Sequence, residues 1–177
     1  KKMWARISKV VQIEPPVPMS RYLGCNQSRY STSISPGDMP MFGLPGVDRS
    51  TLKDGKAKHT VTAMEYDLES FIGQCLEAYE ALAGRNLLPY RRVGTPFLPD
   101  EEDGGEKSPA DVAGVLAPIA LKVLMKVLYA ARIGRYDILR ATCFLAKRVT
   151  KWNASCDKRL HRLMCYLHCT RGFRTYA

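Results

Sequence analysis

Between residues 68 and 82 the apolar side chains Leu68, Phe71, Ile72, Cys75, Leu76, Tyr79 and Leu82 recur at i, i+3, i+4 and i+7 spacing. A helix of about 3.6 residues per turn places that set on one face, and the face must be buried against something else. Glu65, Asp67 and Glu69 cluster at the start of this segment, where the helix dipole favours negative charge. Gly84 stands where such a helix would stop. The spacing therefore predicts an amphipathic helix beginning at Asp67.

Helical signals continue downstream. Ser108-Pro109-Ala110-Asp111 reads as a helix start, with Ser as N-cap, Pro in the first position and Asp in the third. Pro118 should kink or restart that helix, which then runs to Arg132 before Gly134. A third helix is expected over residues 136–149, with Ile138, Leu139, Thr142, Cys143, Leu145 and Ala146 as its apolar face. A fourth is expected over residues 155–169, with Leu160, Leu163, Met164 and Leu167 inside. The C-terminal half thus reads as an all-helical bundle. Its most apolar run, residues 112–131, contains Pro118, Lys122 and Lys126. A membrane-spanning helix wants about 20 residues with few or no charges, so the run reads as a buried helix and not as a membrane span.

The N-terminal part has a different texture. Residues 3–11 suit one short helix or strand, and Pro15, Pro16 and Pro18 then force extended chain. Arg21-Tyr22-Leu23-Gly24-Cys25 reads as a strand in which Gly24 allows close backbone approach. Residues 26–58 are rich in Gly, Pro, Ser and Asp and show no period, so they read as a long loop or insertion. Residues 59–64 alternate as a strand does. Residues 93–97 should be extended, and residues 100–107 form an acidic, glycine-containing linker. The expected architecture is α+β: a small strand-bearing N-terminal part followed by a mostly helical basic bundle. Its divisions fall at residues 1–64, 65–99, 100–107 and 108–177.

Charge narrows the choice of partner. The 177 residues carry a net charge of +10. Residues 1–64 have ten basic and four acidic side chains, net +6, and residues 65–111 have four and eleven, net −7. Residues 112–177 have thirteen and two, net +11. A local excess of that size implies an acidic partner: nucleic acid, an anionic membrane surface or an acidic protein. Cys25, Cys75, Cys143, Cys156, Cys165 and Cys169 lie mostly in apolar helical contexts. That suits reduced thiols in an intracellular compartment, cytoplasm or nucleus. No apolar leader segment opens the sequence, and its first residue is Lys, which reads as a chain cut from something longer.

No catalytic set is present. Walker loops, Gly-x-Ser-x-Gly, His-Glu-x-x-His and Cys-x-x-Cys are all missing, as is an adjacent Asp-Asp pair able to hold Mg²⁺. The run Asp100-Glu101-Glu102-Asp103 lies in a linker that cannot preorganise ions. His161, Cys165 and Cys169 share a helical face, but the two turns they span cover about 12 Å, too long for one metal site. They read better as a packed face, and no cofactor is implied. Lys147, Arg148, Lys151, Lys158, Arg159 and Arg162 cluster around Trp152. Cations interleaved with an aromatic suit contacts to a nucleic-acid backbone. The same composition equally describes a solvated helix surface with Trp152 as a packing anchor.

Several segments, in order, resemble copia-type retrotransposon reverse transcriptases. Tyr22-Leu23-Gly24-Cys25 looks like the strand with a Leu-Gly step that follows the polymerase palm, and residues 66–82 resemble the helix after it. Val93-Gly94-Thr95-Pro96-Phe97 resembles the family's Val-x-Thr-Pro-apolar signature. Leu128-Tyr129-Ala130-Ala131 and Arg135-Tyr136-Asp137-Ile138 resemble its Leu-Tyr-x-x and Arg-Pro-Asp-Ile pair, with Tyr136 in place of the usual Pro. Trp152, residues 160–167 and Thr170 resemble the helix that ends Tyr-Leu-x-x-Thr before RNase H. Residues 26–58 have no counterpart.

The resemblance implies a non-catalytic thumb-and-connection segment of an RNA-directed DNA polymerase, clamping an RNA–DNA hybrid or other duplex. The palm's Asp-Asp hairpin would precede Lys1 and the RNase H acidic cluster would follow Ala177. Lys147, Arg148, Lys151, Arg159 and Arg162 would contact phosphates beside Trp152, and Gly24 would lie near the primer grip. The rival expectation is a co-opted structural or interaction subunit that docks an acidic protein or membrane surface through the same basic helices.

Overall fold

The elements run α1 (Lys2–Ile7), β1 (Arg21–Tyr22), β2 (Cys25–Ile34), β3 (His59–Asp67), α2 (Glu69–Ala83), α3 (Ala117–Ile133), α4 (Leu139–Ala146), α5 (Ala154–Cys169) and β4 (Arg174–Tyr176). This is an α+β arrangement in a computed structural model that describes residues 2–12, 14, 20–22, 24–34, 59–98 and 112–177. The expected helix start at Ser108-Pro109-Ala110-Asp111, the acidic linker and most of the long loop lie outside the described residues.

The four strands form one antiparallel sheet in the order β1-β2-β3-β4. Between the paired Tyr22 and Cys25, Gly24 takes φ of 85°, a left-handed conformation that glycine adopts at little cost. A Cβ there would also sit 3.0 Å from the Phe71 ring, so the turn packs directly on α2. β2 pairs with β3 from Asn26↔Asp67 to Ile34↔His59. Residues 26–34, expected as loop, are therefore strand. Most of their side chains face solvent, so the apolar alternation that marks a strand is missing while the backbone pairing is complete.

The C-terminal half is not all helical. β4 returns to pair with β3 through Glu65↔Tyr176, Tyr66↔Thr175 and Asp67↔Arg174. Arg174 reaches Glu69 at 2.8 Å, Asp67 at 3.3 Å and Glu65 at 3.9 Å. The acidic cluster at the start of α2 thus holds the last strand as well as the helix, Asp67 Oδ1 accepting from the Glu69 amide at 2.8 Å.

The apolar stripe of the sequence becomes the inner face of α2, burying Ile72, Cys75, Leu76, Tyr79 and Ala83. α3 starts at Ala117 with Pro118 in its first turn; residues 112–116 before it are not helical, so the proline begins this helix instead of restarting one, and the Gly134 amide bonds back to Ala130 at its end. The expected third helix is α4 between two 3-10 turns, Tyr136–Ile138 and Val149–Lys151. α5 is capped by Asn153, whose Oδ1 accepts from the Cys156 amide at 3.0 Å. Leu124, Val127, Leu160, Leu163 and Leu167 meet the α2 stripe in one core. Full burial of such side chains contributes about 1.5–3 kcal/mol each, which makes this contact the main support of the fold. Cys25, Cys75 and Cys156 are buried in it, Cys165 is buried beside His161, and burial pushes the Cys75 thiol up to about 12. No helix among the described residues is long and apolar enough to cross a membrane.

Candidate nucleic-acid interface

The corner from α4 through the Val149–Lys151 turn into α5 holds six of the seven residues singled out in the sequence. It is fixed by Trp152, whose indole Nε1 donates to Asp157 Oδ1 at 2.7 Å. Asp157 also accepts from the amides of Val115 at 2.7 Å and Leu116 at 3.2 Å, so a carboxylate of α5 holds the turn that leads into α3. Gly114 lies under the indole, where a Cβ would come within 2.6 Å of Trp152 Cδ1.

The expected set divides. Lys147, Arg148 and Lys151 are exposed on one corner of the molecule. Trp152 is 7% exposed, so it is the packing anchor and not a stacking surface for bases. Arg159 is 5% exposed and donates to the Leu98 carbonyl at 2.9 Å, with the Phe97 and Phe144 rings 5.3 and 4.9 Å away. Arg162 donates to Thr95 O at 3.1 Å and Thr95 Oγ1 at 3.0 Å. These two arginines strap the Thr-Pro segment onto α5: Arg159 is buried there in a structural role, while Arg162 stays partly exposed beside Thr95. Gly24 is far along the chain from this corner, and its close approach is to Phe71.

One residue escaped the sequence reading. Arg140 is exposed, and its guanidinium lies 5.0 Å from the centre of the Phe97 ring. Arg148 lies 3.5 Å over Phe144 and donates to the Phe144 carbonyl at 3.3 Å. The two rings meet edge to face at 5.0 Å. The signal was the spacing Arg140-Phe144-Arg148, i, i+4, i+8, with Arg148 two residues past the end of α4. Among the described residues no carboxylate pairs with Arg140, Lys147, Arg148 or Lys151, whereas Arg135 and Arg174 are both paired. Cations left unneutralised on one corner attract a polyanion, and binding releases its counterions.

The His161, Cys165 and Cys169 face is packed. His161 Nε2 lies 3.3 Å from the Pro89 carbonyl and Nδ1 3.2 Å from Tyr79 Oη. That network assigns the Nε2–H tautomer, donating to Pro89 and accepting from Tyr79. Cys165 Sγ is 3.3 Å from Nε2, while Cys169 Sγ turns to the Arg91 carbonyl at 3.7 Å. Burial lowers the His161 pKa, and the Arg91 charge adds to this against the opposing bond to Pro89. A neutral imidazole with both nitrogens engaged is a core residue. Among the described residues no three His, Cys, Asp or Glu side chains converge as metal ligands.

No family model matches the chain, and no curated protein or solved structure matches it either.

Proposed function

We propose that this chain is a non-catalytic, nucleic-acid-clamping segment of a copia-type reverse transcriptase, its thumb-and-connection part. The observation that carries the reading is the exposed row Lys147, Arg148 and Lys151, with no carboxylate partner among the described residues, set in a helical part with thirteen basic and two acidic residues. The ordered resemblance to the family supports it. The task is electrostatic: phosphates of an RNA–DNA hybrid sit against the corner, displace condensed counterions and are held without reading of bases.

Each phosphate neutralised adds roughly −0.7 to −0.9 to the slope of log K against log salt, so three contacts give a slope of about −2 to −3. The test is a fluorescence-anisotropy titration of an RNA–DNA hybrid at several salt concentrations, wild type against K147E/R148E/K151E. The triple variant should flatten the slope and weaken binding equally for all sequences. Identical slopes, or no wild-type binding at low salt, would overturn the reading.

A second reading, an interaction module, is favoured by the outer face of α3. Leu121 and Met125 are 52% and 45% exposed there. Beside them Met125, Leu128, Tyr129, Arg132 and Ile133 line an open cavity of about 430 Å³. An Asp-Asp hairpin upstream and RNase H downstream in the parent reading frame would favour the polymerase; a frame ending near these residues would favour the module.

A further inference from the structure

The row of cations extends beyond the residues named so far. Arg140, Lys147, Arg148 and Lys151 stand at i, i+7, i+8 and i+11, and Lys147 keeps right-handed helical backbone at φ −64° and ψ −18° beyond the end of α4. Arg140 and Lys147 therefore share one helical face, while Arg148, at φ −104° and ψ 2°, and Lys151, in the Val149–Lys151 turn, continue the row past the helix. The rise from Arg140 to Lys147 is about 10 Å, so Arg140 and the cations at the far end are too far apart to share one phosphate.

The two arginines are also positioned. Each lies near a phenyl ring, Arg140 at Phe97 and Arg148 at Phe144, and the rings are braced against each other. Arg159 lies near both rings from the inside. Stacking uses the flat face of a guanidinium and leaves its in-plane N–H edge for an anion, which a guanidinium engages in bidentate fashion. Among the described residues Arg140 makes no hydrogen bond or ion pair that would compete, and Arg148 makes one, to a carbonyl.

From this arrangement we infer that α4 lies along one sugar–phosphate backbone, with Arg140 and Arg148 as ring-braced ligands of two separate phosphates and Lys147 and Lys151 extending the track. The inference rests on the nucleic-acid reading above and makes Arg140 a binding residue. It also sets a direction, since the backbone must run with the axis of α4 instead of across it.

The experiment is the same anisotropy titration with the full chain and an RNA–DNA hybrid, now using R140A, R140Q, R140K, R140A/R148A and R132A. Arg132 is an exposed arginine of α3, off the row, and serves as the charge-matched control. R140A and R140Q should each reduce the steepness of the salt slope by about one, and the double variant by about two. R140K keeps the charge and should keep the slope, while R132A should leave it unchanged. Thermal melts identify any variant that is unfolded, and R140Q, which retains a long polar side chain, stands in for R140A if needed. A wild-type slope in R140Q and R140A, with binding still lost in K147E/R148E/K151E, overturns this inference and leaves the broader reading standing. A loss in R132A equal to that in R140A also overturns it, because diffuse charge would then suffice. Absence of wild-type binding removes both.

Discussion

Arg135 lies inside the protein, 2% exposed, and donates twice to Thr170, a residue 35 positions further on: Nη1 to its carbonyl at 3.0 Å and Nη2 to its hydroxyl at 2.7 Å. Its other edge grips Asp137 through Nε at 3.0 Å and Nη2 at 2.8 Å. Tyr166 and Phe173 place their rings 6.0 and 5.5 Å from the same guanidinium. Two of the stretches that carry the family resemblance, Arg135-Tyr136-Asp137-Ile138 and the Tyr-Leu-x-x-Thr end of α5, thus meet in one polar joint. The joint ties the α3–α4 corner to the exit of α5, where the chain turns toward β4.

Removing Arg135 should therefore cost stability. A broken buried pair costs about 3–5 kcal/mol, because the remaining charge has no partner. Asp137 keeps 33% of its side-chain surface in water, which places R135A near the low end, about 3 kcal/mol. Thr170→Val, which removes one hydroxyl and keeps the shape, should cost about 1–2 kcal/mol. Urea denaturation measures both, and an R135A midpoint equal to wild type would remove the joint from the list of supports.

Stability should fall in two pH windows. His161 has a depressed pKa in the folded state, so its contribution is complete above the unfolded value of about 6.5 and erodes as pH falls toward the folded value. Burial alone would raise the pKa of Asp137, but the bonds to Arg135 and its charge outweigh that and hold it below the usual carboxylate value. Its contribution is present above about pH 3.9 and is lost as pH falls through the folded pKa. H161Q should flatten the first window while leaving the second. The check is Tm from pH 7.5 to 3; an H161Q profile as steep as wild type between pH 7 and 5 would count against a neutral core histidine.

The sequence announced its helices more clearly than its strands, for a physical reason. α2 and α5 each bury a stripe, and burial leaves a period in the residues: Ile72, Cys75, Leu76 and Tyr79, or Leu160, Leu163, Met164 and Leu167. β2 has few buried side chains and is held by backbone pairing to β3, which leaves no such mark. β4 was hidden because its partner lies more than a hundred residues back, Arg174 facing Asp67. The basic corner was visible as composition. Composition could not say that Arg159 turns inward to Leu98 and Arg162 binds Thr95 at the surface while Arg140 stays unbonded to them, since that depends on where the Thr-Pro segment crosses α5.

Gly114 offers a local test of the α3–α5 contact. A Cβ there would lie 2.6 Å from Asn153 O and from Trp152 Cδ1, and 2.7 Å from Asp157 Oδ1. Forced overpacking of this kind costs about 1–3 kcal/mol. Gly94→Ala is the matched control, because nothing lies within 4 Å of its Cβ position. Thermal melts should show G114A destabilised and G94A within about 0.5 kcal/mol of wild type. Equal Tm values for the two would mean that the indole does not sit on Gly114.

The chain should not extend a primer. A two-metal polymerase centre needs converging carboxylates free to hold Mg²⁺. Glu65, Asp67 and Glu69 stand near the start of α2, but they do not converge as metal ligands, and the Arg174 guanidinium pairs with each of them at 2.8–3.9 Å. Their charge raises the Arg174 pKa further, the bond to Glu69 being the largest cause, so this cation is never surrendered at neutral pH. The same arginine lies on β4, so clearing the acidic cluster would also remove the ion pairs that supplement the β3–β4 backbone ladder. Primer extension with Mg²⁺ or Mn²⁺ on an RNA–DNA primer–template should therefore show no nucleotide incorporation for wild type. R174Q, which removes these ion pairs, should lose stability and still incorporate nothing. Incorporation above a no-protein control by the wild-type chain would show that the carboxylates serve chemistry after all, and would end the description of this segment as non-catalytic.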